Sequence, residues 1–271
     1  MRVGIIGMGT VGRTISEQFG RHSETVEYDL THGEPYPQAD LVACHFAVIC
    51  VSSPSRSDGG CDVSMVEEAV RRVPVDYVLI KSTIAPGTTD RLIAETGKSI
   101  CFSPEYIGES EWSPWNNDAA SVPFFIIGGV PATRTWFLDR LAPILGPDRS
   151  VHACNAIEAE LIKYMENSFL ATKLSFVNEF YEICHAFGAD WHAVREGWLR
   201  DPRIGRSHTV VFPDDRGFGG RCLPKDVTAI IRAAGEVGYQ AELLREVIDC
   251  NHRFRKMSSS AIATDGPPLG R

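Results

Sequence analysis

The residues best suited to do chemistry lie in one short run, Gly217-Phe218-Gly219-Gly220-Arg221-Cys222-Leu223-Pro224-Lys225-Asp226. Three glycines in four residues let a backbone approach a ligand closely, which makes Gly219 a candidate substrate contact. Cys222 follows directly, with Arg221 and Lys225 nearby. Cationic neighbours favour the thiolate, the form of cysteine that attacks an electrophile. A helix beginning near Pro224 would add the positive end of its dipole. Asp226, four residues after the thiol, is placed to act as a base directly or through a water. The chain has seven other cysteines, Cys44, Cys50, Cys61, Cys101, Cys154, Cys184 and Cys250. None forms a C-x-x-C pair or a metal-ligand rhythm, so no metal is expected and most should be small buried hydrophobes.

A second run, Gly7-Met8-Gly9-Thr10-Val11-Gly12, is G-x-G-x-x-G set between an apolar stretch and a helical one. Its first glycine permits a tight turn and its second lets a pyrophosphate approach the backbone. The third lets the helix pack closely on the strand. Gly7, Gly9, Thr10, Val11 and Gly12 are thus candidate cofactor contacts at a helix N-terminus. Asp29 lies 22 residues after Gly7, at the end of the next apolar stretch. A carboxylate there accepts hydrogen bonds from ribose hydroxyls and repels a 2′-phosphate, which favours NAD over NADP.

These motifs need elements to hold them. Residues 2–6, 25–30, 46–51, 76–80, 99–102 and 124–127 read as strands, and 10–19 and 63–72 as helices. Pro86 suits the first turn of a further helix. Strands alternating with helices predict an α/β fold, a Rossmann-type doubly wound parallel sheet, over residues 1–153. The pattern then changes. Apolar residues recur at helical spacing from Ala156 to about Phe187, where Gly188 stops the run. A second helical stretch is expected from about Val227 to Lys256. Residues 154–256 therefore read as a mainly helical domain with a long central helix, carrying the cysteine loop. Residues 257–271, small, polar and Pro/Gly-bearing, read as a disordered tail.

A formal net charge of -8 argues against nucleic-acid binding, which needs a basic surface, and leaves room for a local pocket that takes a small anionic molecule. No charged and apolar leader precedes the first strand, and no run approaches a membrane span, so a cytoplasmic location is expected.

Gly217–Asp226 resembles the G-F-G-G-x-C-x-x-K-D signature of the UDP-glucose/GDP-mannose dehydrogenase family. The resemblance extends over residues 1 to about 256, in the family's order. Lys81-Ser82-Thr83 with Pro86-Gly87-Thr88 is similar to its strand-end threonine segment. Ser103-Pro104-Glu105-Tyr106 with Glu109 is similar to its P-E-F-x-x-E segment. Ala159-Glu160-Leu161-Ile162-Lys163-Tyr164 with Asn167 and Ser175-Phe176-Val177-Asn178-Glu179 is similar to its central helix. Asp201-Pro202-Arg203-Ile204-Gly205 is similar to its D-x-R-I-G segment.

The resemblance implies two successive NAD-dependent oxidations of a sugar-nucleotide primary alcohol, with Cys222 holding the intermediate covalently. It implies that Lys163 and Asn167, four apart on one helix, contact the substrate and donate hydrogen bonds to a developing oxyanion. It gives Glu105 and Thr83 the hydrolytic water and Glu105 a substrate contact. It sets Thr83 and Glu109 at the nicotinamide end and makes Lys225 a cofactor contact. Arg203 would reach a neighbouring subunit's sugar site, in a homodimer built along the long helix.

The family continues into a third, nucleotide-binding domain, which this sequence is expected to lack. Gly108 stands where a basic residue is frequent, Ser52-Ser53-Pro54 replaces P-T-P, and the longer stretch 207–216 carries Asp214 and Asp215, acids that would disfavour a diphosphate. A nucleoside or free sugar is therefore an alternative substrate. Two other readings are a two-electron alcohol or hydroxyacid dehydrogenase, which Cys222 opposes, and a non-catalytic NAD-binding subunit.

Overall fold

A computed structural model describes residues 1–107 and 118–264 of the chain, with side chains as far as residue 258. It divides into two compact units, Met1–Lys163 and Tyr164–Arg271.

The first unit is a seven-stranded sheet in the order β2-β1-β3-β4-β5-β6-β7. The strands are β1 (Arg2–Ile6), β2 (Glu24–Tyr28), β3 (Phe46–Ile49), β4 (Tyr77–Ile80), β5 (Ser99–Phe102), β6 (Phe124–Gly128) and β7 (Ser150–Cys154). The helices are α1 (Thr10–Gly20), α2 (Gln38–Val42), α3 (Ser64–Arg72), α4 (Thr88–Thr96) and α5 (Pro131–Leu145). Central strands are apolar throughout because both faces are covered. On β3, Phe46 and Val48 join one core layer while Ala47 and Ile49 join the other, as the two-residue period of a strand requires. The strand order reverses at β1, with β2 on one side and β3 on the other, and ligands of such sheets bind where it reverses.

Several details differ from the sequence reading. β6 runs antiparallel to β5, so the sheet is mostly rather than wholly parallel. Among the described residues no α-helix connects β5 to β6, and a parallel return needs such a crossover. Pro86 does not start its helix. Gly87, left-handed at φ 87°, caps α4, which begins at Thr88. The division falls after Lys163 instead of residue 153, because the start of the long helix belongs to the sheet unit. Cys154 and Ala159 lie in its core, with Ile162 packed against them. Glu160 is buried there, and its carboxylate accepts the Gly87 N–H at 2.5 Å, the Thr89 N–H at 2.9 Å and the Thr89 hydroxyl at 2.6 Å. It thereby satisfies open donors of α4.

The second unit is helical. The 31-residue α6 (Ala156–Ala186) enters it from the first, about 46 Å long at 1.5 Å per residue. Gly188, at φ 67°, follows its end as expected. α7 (Trp191–Trp198), α8 (Leu223–Glu236) and α9 (Glu242–Thr264) follow. The single helix expected over residues 227–256 is two. The chain leaves α8 through left-handed Gly238 at φ 86°, with the Tyr239 N–H returning to the Ala234 carbonyl at 2.8 Å. α9 also runs to Thr264, beyond Lys256, over residues read as tail. Residues 265–271 lie outside the described residues. Ala171, Phe218, Val227 and Val247 form one core cluster, which seats the glycine-rich loop on α6, α8 and α9.

Candidate functional site

Each glycine of the first loop has its own reason. Gly7 adopts φ 95°, and a Cβ there would stand 2.7 Å from the backbone of Cys50 and Val51. A Cβ on Gly12 would run into the Gly7 carbonyl oxygen, so α1 can pack on β1 only without it. A Cβ on Gly9 would meet nothing within 4 Å, and that open space is where a phosphate would approach. α1 starts at Thr10 with no side-chain cap and no acidic residue in its first turn, which leaves N–H donors for an anion. Val11 and Gly12 complete that turn.

Gly7, Met8, Gly9, Asp29 and Ser52 line a cavity of about 360 Å³ at this loop. Asp29 Oδ2 accepts the Met8 N–H at 2.6 Å. Its Oδ1 accepts the Thr31 N–H at 2.8 Å and the Thr31 hydroxyl at 2.6 Å. The Thr31 hydroxyl, then the Thr31 and Met8 N–H groups, hold this carboxyl below its usual range, so it is ionised in a position to accept ribose hydroxyls. Open glycine space, free helix donors and an ionised strand-end acid fit a dinucleotide.

At the ends of β4 and β5, Glu105 is tied down. Its Oε1 accepts the N–H groups of Tyr106 at 2.6 Å and Ile107 at 2.8 Å, and its Oε2 lies 3.5 Å from Lys81 Nζ. Lys81 Nζ also donates to Ser103 Oγ at 3.3 Å and the Pro104 carbonyl at 3.2 Å. Lys81 is buried and Glu105 is mostly so, a setting that favours pairing of the two charges. The sequence signal for Lys81 is a lysine directly after the apolar run of β4. Thr83 is half-buried, and its carbonyl accepts from Cys61 Sγ at 3.6 Å. Lys163 Nζ lies over the Tyr106 ring, 4.9 Å from its centroid. Gly108 and Glu109 lie outside the described residues.

In the second unit, Cys222 is exposed and caps α8, with the Asp226 N–H donating to its carbonyl at 2.9 Å. Asp226 is buried. Its Oδ2 accepts from Asn167 Nδ2 at 2.5 Å and its Oδ1 pairs with Lys225 Nζ at 2.5 Å. Both carboxylate oxygens are engaged. Asp226 thus links Asn167 of α6 to Lys225 of α8. Six of the other cysteines are buried, and burial pushes the thiols of Cys50 and Cys101 up to about 12.

The loop ahead of Cys222 is held by side chains that the sequence reading did not single out. Buried Arg216 donates to Asn178 Oδ1 at 2.8 Å, the Asn178 carbonyl at 3.0 Å and Glu182 at 2.5 Å. Its guanidinium also lies 4.4 Å from the Tyr181 ring centroid. The Gly217 N–H donates to Asn178 Oδ1 at 3.1 Å. Asn251 on α9 accepts the Phe218 N–H at 2.7 Å and donates to the Phe218 carbonyl at 2.9 Å. Gly217, at φ 74°, has no room for a Cβ against Asn251. Gly219 lies under the Arg255 guanidinium, with 3.5 Å from its Cβ position to Cζ. Arg255 also pairs with Asp215, so that acid is not the bare negative charge its sequence position suggested. Arg203 is 86% exposed and pairs with Asp201, with Nε 3.0 Å from each carboxylate oxygen.

The first unit is a Rossmann-type nucleotide-binding fold, and a helical unit with a cysteine loop follows it. Residues 157–253 match the UDP-glucose/GDP-mannose dehydrogenase family, central domain. UDP-glucose 6-dehydrogenase YwqF of Bacillus subtilis is 30% identical over 248 residues, 86% of this chain and 53% of that protein. A UDP-glucose dehydrogenase structure from Pyrobaculum islandicum superposes with a TM-score of 0.81 at 26% identity, over 93% of this chain and 68% of that one. A UDP-D-ManNAc dehydrogenase structure from Pyrococcus horikoshii gives 0.79 at 25% identity, over 97% and 70%. Residues 157–253 thus carry the central domain of the UDP-glucose/GDP-mannose dehydrogenase family, and the chain as a whole is similar to members of it. It spans about half the length of the curated relatives it matches. Among the described residues, no helix is long and apolar enough to cross a membrane.

Proposed function

We propose that this chain oxidises a primary alcohol to a carboxylate with NAD, on a sugar nucleotide or a related sugar or nucleoside, through a thioester on Cys222. The observation that carries this reading is the array in which buried Asp226 holds Asn167 and Lys225, one turn along α8 from exposed Cys222. The similarity to UDP-glucose 6-dehydrogenases makes UDP-glucose the first substrate to try.

Gly7, Gly9, Thr10, Val11, Gly12 and Asp29 would hold the dinucleotide, with Thr83 and Lys225 as further contacts. NAD, when bound, supplies the hydride acceptor for each oxidation. The Cys222 thiolate adds to the carbon of the intermediate aldehyde, forming a C–S bond and moving the carbonyl pair onto oxygen. Lys163 and Asn167 donate to that oxyanion, an arrangement typically worth about 3 kcal/mol per donor. Hydride loss leaves the thioester. A water positioned by Glu105 and Thr83 attacks it, the C–S bond breaks, and the thiol and the acid are released. Gly219 gives the substrate a close backbone approach. A cytoplasmic setting fits, since NAD and a reduced thiol are both required.

Partner contacts follow from α6. Met165, Phe169, Phe176, Phe180, Ile183 and Phe187 are exposed, Phe187 by 86%, at mostly three- and four-residue spacing. A stripe of this kind suits a second copy of the chain and a homodimer in which Arg203 serves the neighbour's sugar site. Sedimentation should give a dimer that Phe176→Asp dissociates. A wild-type monomer at micromolar concentration opposes this.

The test of function is NADH and product mass with UDP-glucose, GDP-mannose, UDP-N-acetyl sugars, free sugars and nucleosides. Two NADH per carboxylate are expected, and Cys222→Ser should lower acid formation by about three orders of magnitude or more. Acid formation that survives in Cys222→Ser would sink the thioester. One NADH per alcohol, with no acid, would favour a two-electron enzyme.

A further inference from the structure

Arg72, at the end of α3, and Tyr36, just before α2, line the same cavity as Gly7, Gly9 and Asp29. The Arg72 guanidinium lies over the Tyr36 ring, with Cζ 3.9 Å from the centroid. The Tyr28 ring meets Tyr36 edge-on at 4.9 Å, and Tyr28 directly precedes Asp29. The stack is therefore built beside the carboxylate suited to the adenosine ribose.

Arg72 differs from the arginines around it. Arg71 pairs with Glu67 and Glu95, and Arg91 pairs with the same two acids. Among the described residues, Arg72 has no carboxylate partner and no side-chain hydrogen bond. Its recorded contacts are with the Tyr28 and Tyr36 rings. It is exposed. The Tyr36 hydroxyl is buried without a hydrogen-bond partner among the described residues.

A guanidinium is planar, always charged and weakly hydrated, and it stacks on flat π-systems. With one face on Tyr36, the other suits a second aromatic plane. We propose that Arg72, braced by Tyr36, is the platform on which the adenine of the dinucleotide stacks. This rests on the dinucleotide reading of the pocket and names the residue that recognises the base. Asp29 selects the ribose, and Arg72 selects for a flat heterocycle beyond it.

The probe is ADP-ribose, titrated calorimetrically into the full chain without substrate. Arg72→Ala should weaken binding by roughly tenfold. Arg72→Lys keeps the charge but loses the plane and should weaken it similarly, as should Tyr36→Leu. Arg71→Ala, which removes the same charge one residue away, should leave binding unchanged. Melting temperatures of the variants provide the check on folding. Full affinity in Arg72→Lys would mean that charge alone acts, and full affinity in Arg72→Ala would remove the platform; either overturns the assignment. A wild-type chain that does not bind ADP-ribose would instead overturn the dinucleotide reading on which it rests.

Discussion

The two glycine loops of this chain are shaped by opposite means. In the Gly7–Gly12 loop the constraint is local backbone. Gly7 presses on the Cys50–Val51 peptide, Gly12 presses on Gly7 itself, and the space around Gly9 is left open. In the Gly217–Gly220 loop the constraint comes from distant side chains. Asn178 and Asn251 hydrogen-bond to its backbone, and buried Arg216 ties its start to α6. One loop is set by what its residues lack. The other is set by what α6 and α9 supply. Substitution should therefore separate folding from ligand binding in the first loop, and couple remote positions to Cys222 in the second.

The largest effect is expected where backbone meets backbone. Gly12→Ala should cost more than about 2 kcal/mol and lower the melting temperature, because the Gly7 carbonyl cannot move without displacing β1. Gly9→Ala in the same loop should leave the melting temperature unchanged and weaken dinucleotide binding. Equal melting losses in both would erase the distinction drawn between these glycines. The next effect tests the second loop. Asn251→Ala leaves the Phe218 N–H and carbonyl buried without their partner, at a cost of about 2 kcal/mol. Turnover should fall while ADP-ribose affinity stays the same. Unchanged turnover would show that the clamp on Phe218 does not position Cys222.

The same contrast explains what could be read in advance. The first loop was legible because its three glycines fall at a fixed spacing within six consecutive residues, although what Gly7 meets is the distant Cys50–Val51 peptide. Gly188 as the stop of the long helix was legible for a similar local reason. The break at Gly238 was not, because isolated glycines such as Gly235 and Gly238 are tolerated in a helical pattern at about 1 kcal/mol each, and the left-handed conformation of Gly238 accompanies the packing of α8 on α9. The unit boundary at Lys163 was hidden because α6 is continuous in pattern, while its first turns serve the core of the sheet. The spacing of Asp226 after Cys222 suggested a base, but its contact with Asn167 was not legible, because that partner lies 59 positions away on α6. Arg216 carried no visible signal, since its partners lie 34 to 42 positions away.

Glu160 gives the start of α6 a reporter elsewhere in the chain. Its carboxylate holds the amide protons of Gly87 and Thr89, more than seventy positions earlier. Those two amides exchange with solvent only when the carboxylate withdraws, and it cannot withdraw while the first turns of α6 are wound against the sheet. Fraying at the start of the long helix is thus recorded at the head of α4, as two amide protons with matched protection.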